Sequence, residues 1–388
     1  MFAKAHLQTA LLLVQAYKGE MPFVHYAKQY FSSHKKHGSR DRRQILQLCY
    51  AYFRMGQALP EWPAEKRILT GLFFCSTEPN ALLQALEPVW NEQASMPLEM
   101  KCELAGCKIT DLTIFPFPGQ MSDEPDQLAF AVSHLVQPDL FIRIRPGFEE
   151  YVIKKLDKLG ISYSIPEPGS VRLPNGFSVE EHFTLNQQVV IQDLSSQRVG
   201  RIMRAAHDYY QMAEEFRIWD CCAASGGKAI MAKDMFPSAL LTVSDIRSSI
   251  LENLRRRFKE ARIFEFESLV VDLSVATPLI PRQDLIIADV PCSGSGTWSR
   301  NPENLATFDK AEITRYAELQ RKIIGNAMRK LQPGGLLLYI TCSVYRDENE
   351  ENVNHFLSNY PLELVSQQFI SGYSEKADNM FAAIMKHI

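Results

Sequence analysis

No apolar run in the 388-residue sequence approaches the roughly 20 residues that a membrane-spanning helix needs; the longest are stretches such as GGLLLYI at 334–340. The N-terminal segment MFAKAHLQTALLLVQAYKGE lacks the small-residue cleavage site of a secretory signal, so export is not expected. Cys-x-x-Cys pairs and His/Cys clusters at zinc spacing are also missing. The eight cysteines, at 49, 75, 102, 107, 221, 222, 292 and 342, are scattered, so free thiols in a reducing cytoplasm are expected and no metal is. Neither a G-x-G-x-x-G fingerprint nor a Walker phosphate loop occurs, which disfavours nicotinamide and nucleoside-triphosphate chemistry.

What is present is a charge asymmetry. The net charge is only −3, yet residues 1–70 hold eleven Lys and Arg against four acids, a local +7 that leaves about −10 for the rest. A basic N-terminal region is the electrostatic footprint of a polyanion-binding surface. It also reads as helical, because AHLQTALLLVQAY, FVHYAKQYF and SRDRRQILQLCYAYFRMG place apolar residues three and four apart. Ser39 is the expected N-cap of the third helix, and Gly56 follows that helix. TIFPFPGQMSDEP reads as a linker.

The expected architecture is α/β in three parts. An all-helical domain covers 1–122, a small α/β unit of the RNA-recognition type covers 123–188, and a Rossmann-like domain covers 189–388. In the small unit, strand LFIRIRP puts Arg143 and Arg145 on one face, a candidate phosphate contact, and Asn175-Gly176 marks a turn. Beyond it, FRIWD, ALLTVSD, SLVVD, DLIIADV and LLLYITCS alternate with amphipathic helices, the pattern of a parallel sheet covered on both faces. Ligands of such sheets bind beyond the carboxyl ends of the strands, where Asp220, Asp245, Asp272 and Asp289 fall. Gly226 and Gly227 in DCCAASGGK allow close backbone approach at a helix N-terminus. Asp245 suits ribose hydroxyls and Asp272 an adenine edge. An adenosine cofactor without phosphates fits this set, and S-adenosylmethionine is the commonest.

Two thiols end two of these strands, Cys292 in DVPCSGSGTWSRNPE and Cys342 in YITCSVYRDENEENV. A thiolate beside a methyl donor points to alkylation of a carbon that is not itself nucleophilic, such as pyrimidine carbon 5. Addition at carbon 6 activates carbon 5, which takes the methyl group before a base removes its proton and the thiol leaves. Asp289 would then hydrogen-bond the base near N3 and its exocyclic amine. The strand pattern alone leaves open which thiol attacks.

These segments, preceded by VVIQDLSSQRVG and closed by DNMFAAIMKHI, resemble the signature series of the Sun/Fmu (RsmB/Nop/Sun) RNA 5-methylcytosine methyltransferases over residues 187–388. The resemblance implies that Cys342 is the nucleophile, that Cys292 assists product release, and that Lys228 lies near base and cofactor. The expected cofactor set is Cys222, Ala223, Ala224, Ser225, Gly226, Gly227, Lys228, Asp245, Arg247, Asp272 and Asp289. Helix GSRDRRQILQLCYAYFRM is similar to the NusB-like RNA-binding domain of one bacterial branch, which makes ribosomal RNA the expected substrate ahead of transfer RNA. Arg40, Arg42, Arg43, Arg143, Arg145 and Arg300 are the expected RNA contacts. Three positions depart from the family pattern: Ser225 replaces the usual proline, Ala229 a common threonine, and Arg145 an asparagine. A non-catalytic ribosome-assembly factor and a DNA methyltransferase are the competing readings. Phosphate contacts predict that RNA binding weakens steeply between about 50 and 200 mM salt; filter binding across that range checks this, and a flat response would contradict it.

Overall fold

A computed structural model describes residues 2–123, 126–210 and 216–388. The chain divides into two compact units, Met1–Gly119 with Pro125–Gln137 and Thr297–Lys310, and Gln120–Glu124 with Pro138–Gly296 and Ala311–Ile388. The expected linker 113–125 ends in residues outside those described.

The first unit is helical: α1 Phe2–Ala16, α2 Phe23–Ser33, α3 Ser39–Arg54, α4 Ala64–Cys75, α5 Ala81–Leu86, α6 Pro88–Glu92, α7 Leu98–Ala105 and α8 Gln127–Ser133. Leu7, Leu13, Phe23, Ile45, Leu48, Phe53, Ile68 and Phe73 fill its core from one face of each helix. Gly38, not Ser39, occupies the cap position of α3. Its extended backbone ends the preceding loop, and its amide donates to the Asp41 carboxylate at 2.9 Å. At the other end of α3 the buried Arg54 guanidinium donates to the carbonyls of His134 (2.5 Å) and Ser299 (3.0 Å), which ties the segment 297–310 into this unit.

The second unit contains two sheets. The smaller is built from β1 Leu140–Ile144, α9 Glu149–Leu159, β2 Ser164–Glu167, β3 Ser170–Leu173, α10 Val179–His182 and β4 Val189–Ile191, in antiparallel order β2-β3-β1-β4. Asn175-Gly176 forms a turn after β3, with Gly176 at φ 89°. The sheet closes with β4, one strand beyond the expected boundary at residue 188, because Ile142 and Ile144 pair with Ile191 and Val189.

The larger sheet follows α11 Leu194–Tyr210. Its elements are β5 Arg217–Asp220, α12 Gly227–Met235, β6 Leu240–Asp245, α13 Ser248–Glu260, β7 Glu267–Val270 and β8 Gln283–Asp289. The chain returns to the first unit for α14 Glu303–Thr307, then adds α15 Ala311–Met328, β9 Leu331–Thr341, α16 Glu350–Asn359, β10 Leu362–Ile370 and β11 Met380–His387. The strand order is β10-β11-β9-β8-β5-β6-β7, with β11 antiparallel to both neighbours and β5 to β9 parallel. Alternate residues of the central strands enter opposite cores: Ile218, Ile287 and Leu338 one, Trp219, Ile286 and Leu337 the other. Both faces are therefore apolar, and polar chemistry is confined to the strand ends. Strand order reverses between β5 and β8, which opens a crevice at their carboxyl ends.

Candidate active site

A cavity of about 730 Å³ occupies that crevice. It is lined by every residue expected to hold a cofactor except Gly226, which shapes the loop from behind. Gly226 sits at φ 85°, and a Cβ there would lie 2.7 Å from the Phe258 ring, so only glycine fits. Ala224 is also left-handed, at φ 45°. The loop is held by bonds from the Ala223 amide to the Ser244 carbonyl (2.8 Å), from Ala224 to the Asp245 carboxylate (3.1 Å) and from Gly226 to the Ala223 carbonyl (2.8 Å). Arg247 closes the other side of Asp245, its Nε donating at 3.1 Å. Asp272, two residues beyond β7, accepts from the Ser274 amide and hydroxyl.

Lys228, in the first turn of α12, is buried and donates to Asp289 at 3.0 Å and to the Ser196 hydroxyl at 2.8 Å. Asp220 lies close to this pair, 1% exposed, and among the described residues neither carboxylate oxygen meets a well-aligned hydrogen-bond donor. Burial, reinforced by the charge of Asp289, pushes its pKa up to about 8 despite the opposing pull of Lys228. At neutral pH Asp220 therefore keeps its proton.

Cys292 and Cys342 lie beyond the cavity, which reaches only as far as Pro291 on that side. Their sulfurs are 3.2 Å apart. The hydrogen bond with Cys342 and burial raise the Cys292 pKa. The two turns share supports. Glu348, fully buried, accepts from the Ser293 amide (2.9 Å), the Ser343 hydroxyl (2.6 Å) and the Gln320 side chain (2.9 Å). Thr341 donates to Asn349 at 2.6 Å, and Asn349 returns a bond to the Ser343 carbonyl at 3.0 Å. Gly296 donates its amide to the Cys342 carbonyl at 2.8 Å, and a Cβ there would stand 2.1 Å from the Asn379 carbonyl oxygen.

Residues 209–384 match the family model described as "16S rRNA methyltransferase RsmB/F". That stretch, a little under half of the chain, is similar to the RsmB/F family. A relative from Xylella fastidiosa (strain Temecula1 / ATCC 700964), described as ribosomal RNA small subunit methyltransferase B, is 31% identical over 175 residues, 44% of this chain and 38% of its own length. The chain thus spans well under half of that relative in the match. Two solved structures share the fold. PH0851 superposes with a TM-score of 0.67 at 18% identity, covering 98% of both chains. A methyltransferase homolog from Pyrococcus horikoshii gives 0.58 at 20% identity, covering 70% of this chain and 93% of its own.

The RNA contacts expected in the β1 strand are corrected. Arg143 and Arg145 share a face, but that face turns inward: both bind Asp234 of α12, at 2.6 and 2.5 Å, and their side chains are only 12% and 14% exposed. Paired guanidiniums under cover cannot also serve phosphates. In the helical unit, by contrast, Arg42, Arg43 and Arg300 line one cleft of about 1000 Å³ together with Tyr50 and Gln47, while Arg40 is exposed at the start of α3 outside that lining.

Around this site, Ser196, Glu348 and Asn349 were not expected as individual residues, although each lies within a quoted motif. It noted Asp220 as a strand-end acid without giving it a role. The pH behaviour of Asp220 follows from linkage. The unfolded carboxyl ionises from about pH 4, while the folded one holds its proton to about 8, so it lowers stability progressively as pH rises between these values. Asp220→Asn should therefore gain thermal stability over wild type as pH rises from 5 to 8, with no further gain above; melting curves across that range check it, and a constant difference would contradict it.

Proposed function

We propose that the protein methylates carbon 5 of a cytosine in RNA, with ribosomal RNA of the small subunit as the substrate class and S-adenosylmethionine as methyl donor. The observation that carries the reading is the pair of half-buried thiols 3.2 Å apart, next to a 730 Å³ cavity with carboxylates at its strand ends. The cavity suits a ligand of nucleoside size, and the sequence of its glycine-bearing loop departs from the Walker and G-x-G-x-x-G spacings of phosphate-binding loops. Asp245 and Asp272 would hold the adenosine half, and the loop 222–227 the rest. When bound, S-adenosylmethionine supplies an electrophilic methyl group.

The chain's own residues do the remaining work. A target cytosine leaves its stack and enters beside Lys228 and Asp289. Lys228 fixes Asp289, which takes the base edge at N3 and the exocyclic amine. The Cys342 sulfur adds to carbon 6, and the electron pair so released makes carbon 5 the nucleophile that accepts the methyl group. Loss of the carbon 5 proton to a base then restores the double bond and expels Cys342. Cys292, in contact with that sulfur, is placed to take part in release. The helical unit would grip the RNA backbone through Arg40, Arg42, Arg43 and Arg300, and its cleft carries the basic asymmetry seen in the sequence. The NusB-like character of that unit rests on resemblance, since the family match begins at residue 209.

The test is to incubate the protein with S-adenosylmethionine and undermethylated small-subunit RNA, then digest and quantify nucleosides by mass spectrometry. The expected product is 5-methylcytidine, reduced at least about 1000-fold in Cys342→Ala, with matched DNA unmodified. A methyl group on any other atom, or full activity in Cys342→Ala, would contradict the reading. Absence of any product on naked RNA and on assembling particles alike would favour the assembly-factor alternative.

A further inference from the structure

We propose that Arg257, which itself lines the cavity, is a positioning residue that latches the cofactor loop through Ser225; this rests on the reading that the cavity takes S-adenosylmethionine. Ser225 lies between two left-handed residues, Ala224 at φ 45° and Gly226 at φ 85°. That backbone is unfavourable for alanine and persists only where neighbours hold it. The ties already described secure residues 223, 224 and 226. Among the described residues, Ser225 is secured by the Arg257 Nη1, which donates to the Ser225 carbonyl at 2.8 Å and to the Ser225 hydroxyl at 2.7 Å.

Arg257 is itself held before any ligand arrives. From α13 its Nε donates to Asn186 Oδ1 at 3.0 Å. Asn186 is buried and left-handed at φ 62°; its side-chain amide donates to Glu260 at 2.7 Å, and its carbonyl accepts from Arg145 at 2.9 Å. Arg145 also donates to the Ala261 carbonyl at 2.6 Å, directly after α13. The latch therefore runs from the small sheet through Asn186 and Arg257 to the loop. It gives the inward-turned Arg145 a place in the architecture.

The sequence gives this arrangement a chemical logic. Ser225 stands where the resembling family usually has proline, which restricts the chain covalently. A serine leaves the chain freer, but it adds a hydroxyl that accepts a hydrogen bond. Arg257 uses both that hydroxyl and the carbonyl behind it, so two charge-assisted bonds stand in for a ring.

The test compares wild type, Arg257→Ala and Arg257→Ala/Ser225→Pro by two readouts on the full chain. Peptide-level hydrogen exchange over residues 222–228 of the ligand-free protein reports the loop. Calorimetric titration with S-adenosylmethionine reports affinity. Arg257→Ala should speed loop exchange and weaken affinity, each about tenfold, while melting within a few degrees of wild type. Adding Ser225→Pro should recover most of both. Unchanged loop exchange in Arg257→Ala overturns the latch. So does lost affinity with an undisturbed loop, which would make Arg257 a direct ligand contact, or a double variant with no recovery. If Arg257→Ala melts far below wild type, Arg257→Lys, which keeps a donor, takes its place in the comparison. A wild type that does not bind S-adenosylmethionine would defeat the methyltransferase reading, and the exchange comparison would still decide the latch.

Discussion

The buried carboxylate of Glu348 is the constraint on which the thiol pair depends. An ionisable group in a fully covered position is costly unless its oxygens are paired, and burial raises the pKa of this one. Its partners come from three places: the Cys292 turn through Ser293, the Cys342 turn through Ser343, and α15 through Gln320. Tyr339 adds a bond from β9 to the Glu348 carbonyl at 2.6 Å. The turns that follow two adjacent parallel strands are therefore referenced to one residue, and the sulfurs meet at 3.2 Å beside that common anchor.

The parallel sheet supplies the second half of the site. Because both faces are buried in apolar packing, the carboxyl ends of β5, β6 and β8 are where acids can gather. Asp220, Asp245 and Asp289 do so, with the buried Lys228 beside Asp289. Like charges so close do not all ionise, and the deepest, Asp220, yields. Asp289 stays paired with Lys228, and Asp245 with Arg247 and the loop amide. Burial and the neighbouring Asp289 thus keep Asp220 protonated, while Asp289 and Asp245 each have a cationic partner.

Much of this was legible in the sequence. The strands of the large sheet follow the apolar runs, and the cavity gathers the residues chosen from the strand ends and the glycine loop. What failed did so for physical reasons. Alternation in LFIRIRP put Arg143 and Arg145 on one face, but it cannot say whether that face meets solvent or Asp234, 89 residues beyond Arg145. Val189 opens a strand that pairs backward to β1, and no local signal marks that direction. Glu348 sits in the acid- and amide-rich run RDENEEN, where composition suits a solvated surface equally well; only the fold buries Glu348, Asn349 and Asn352 and leaves Arg346, Asp347 and Glu350 partly exposed.

The covalent bond between Cys342 and RNA is the central claim, and a trapped complex tests it most directly. Cys292→Ser protein, incubated with S-adenosylmethionine and ribosomal RNA, should give a slow-migrating protein–RNA species on a denaturing gel. That species should disappear when Cys342 is also replaced. A species that survives loss of Cys342, or one that forms through Cys292 when Cys342 alone is replaced, would contradict the assignment of attack and release to the two thiols.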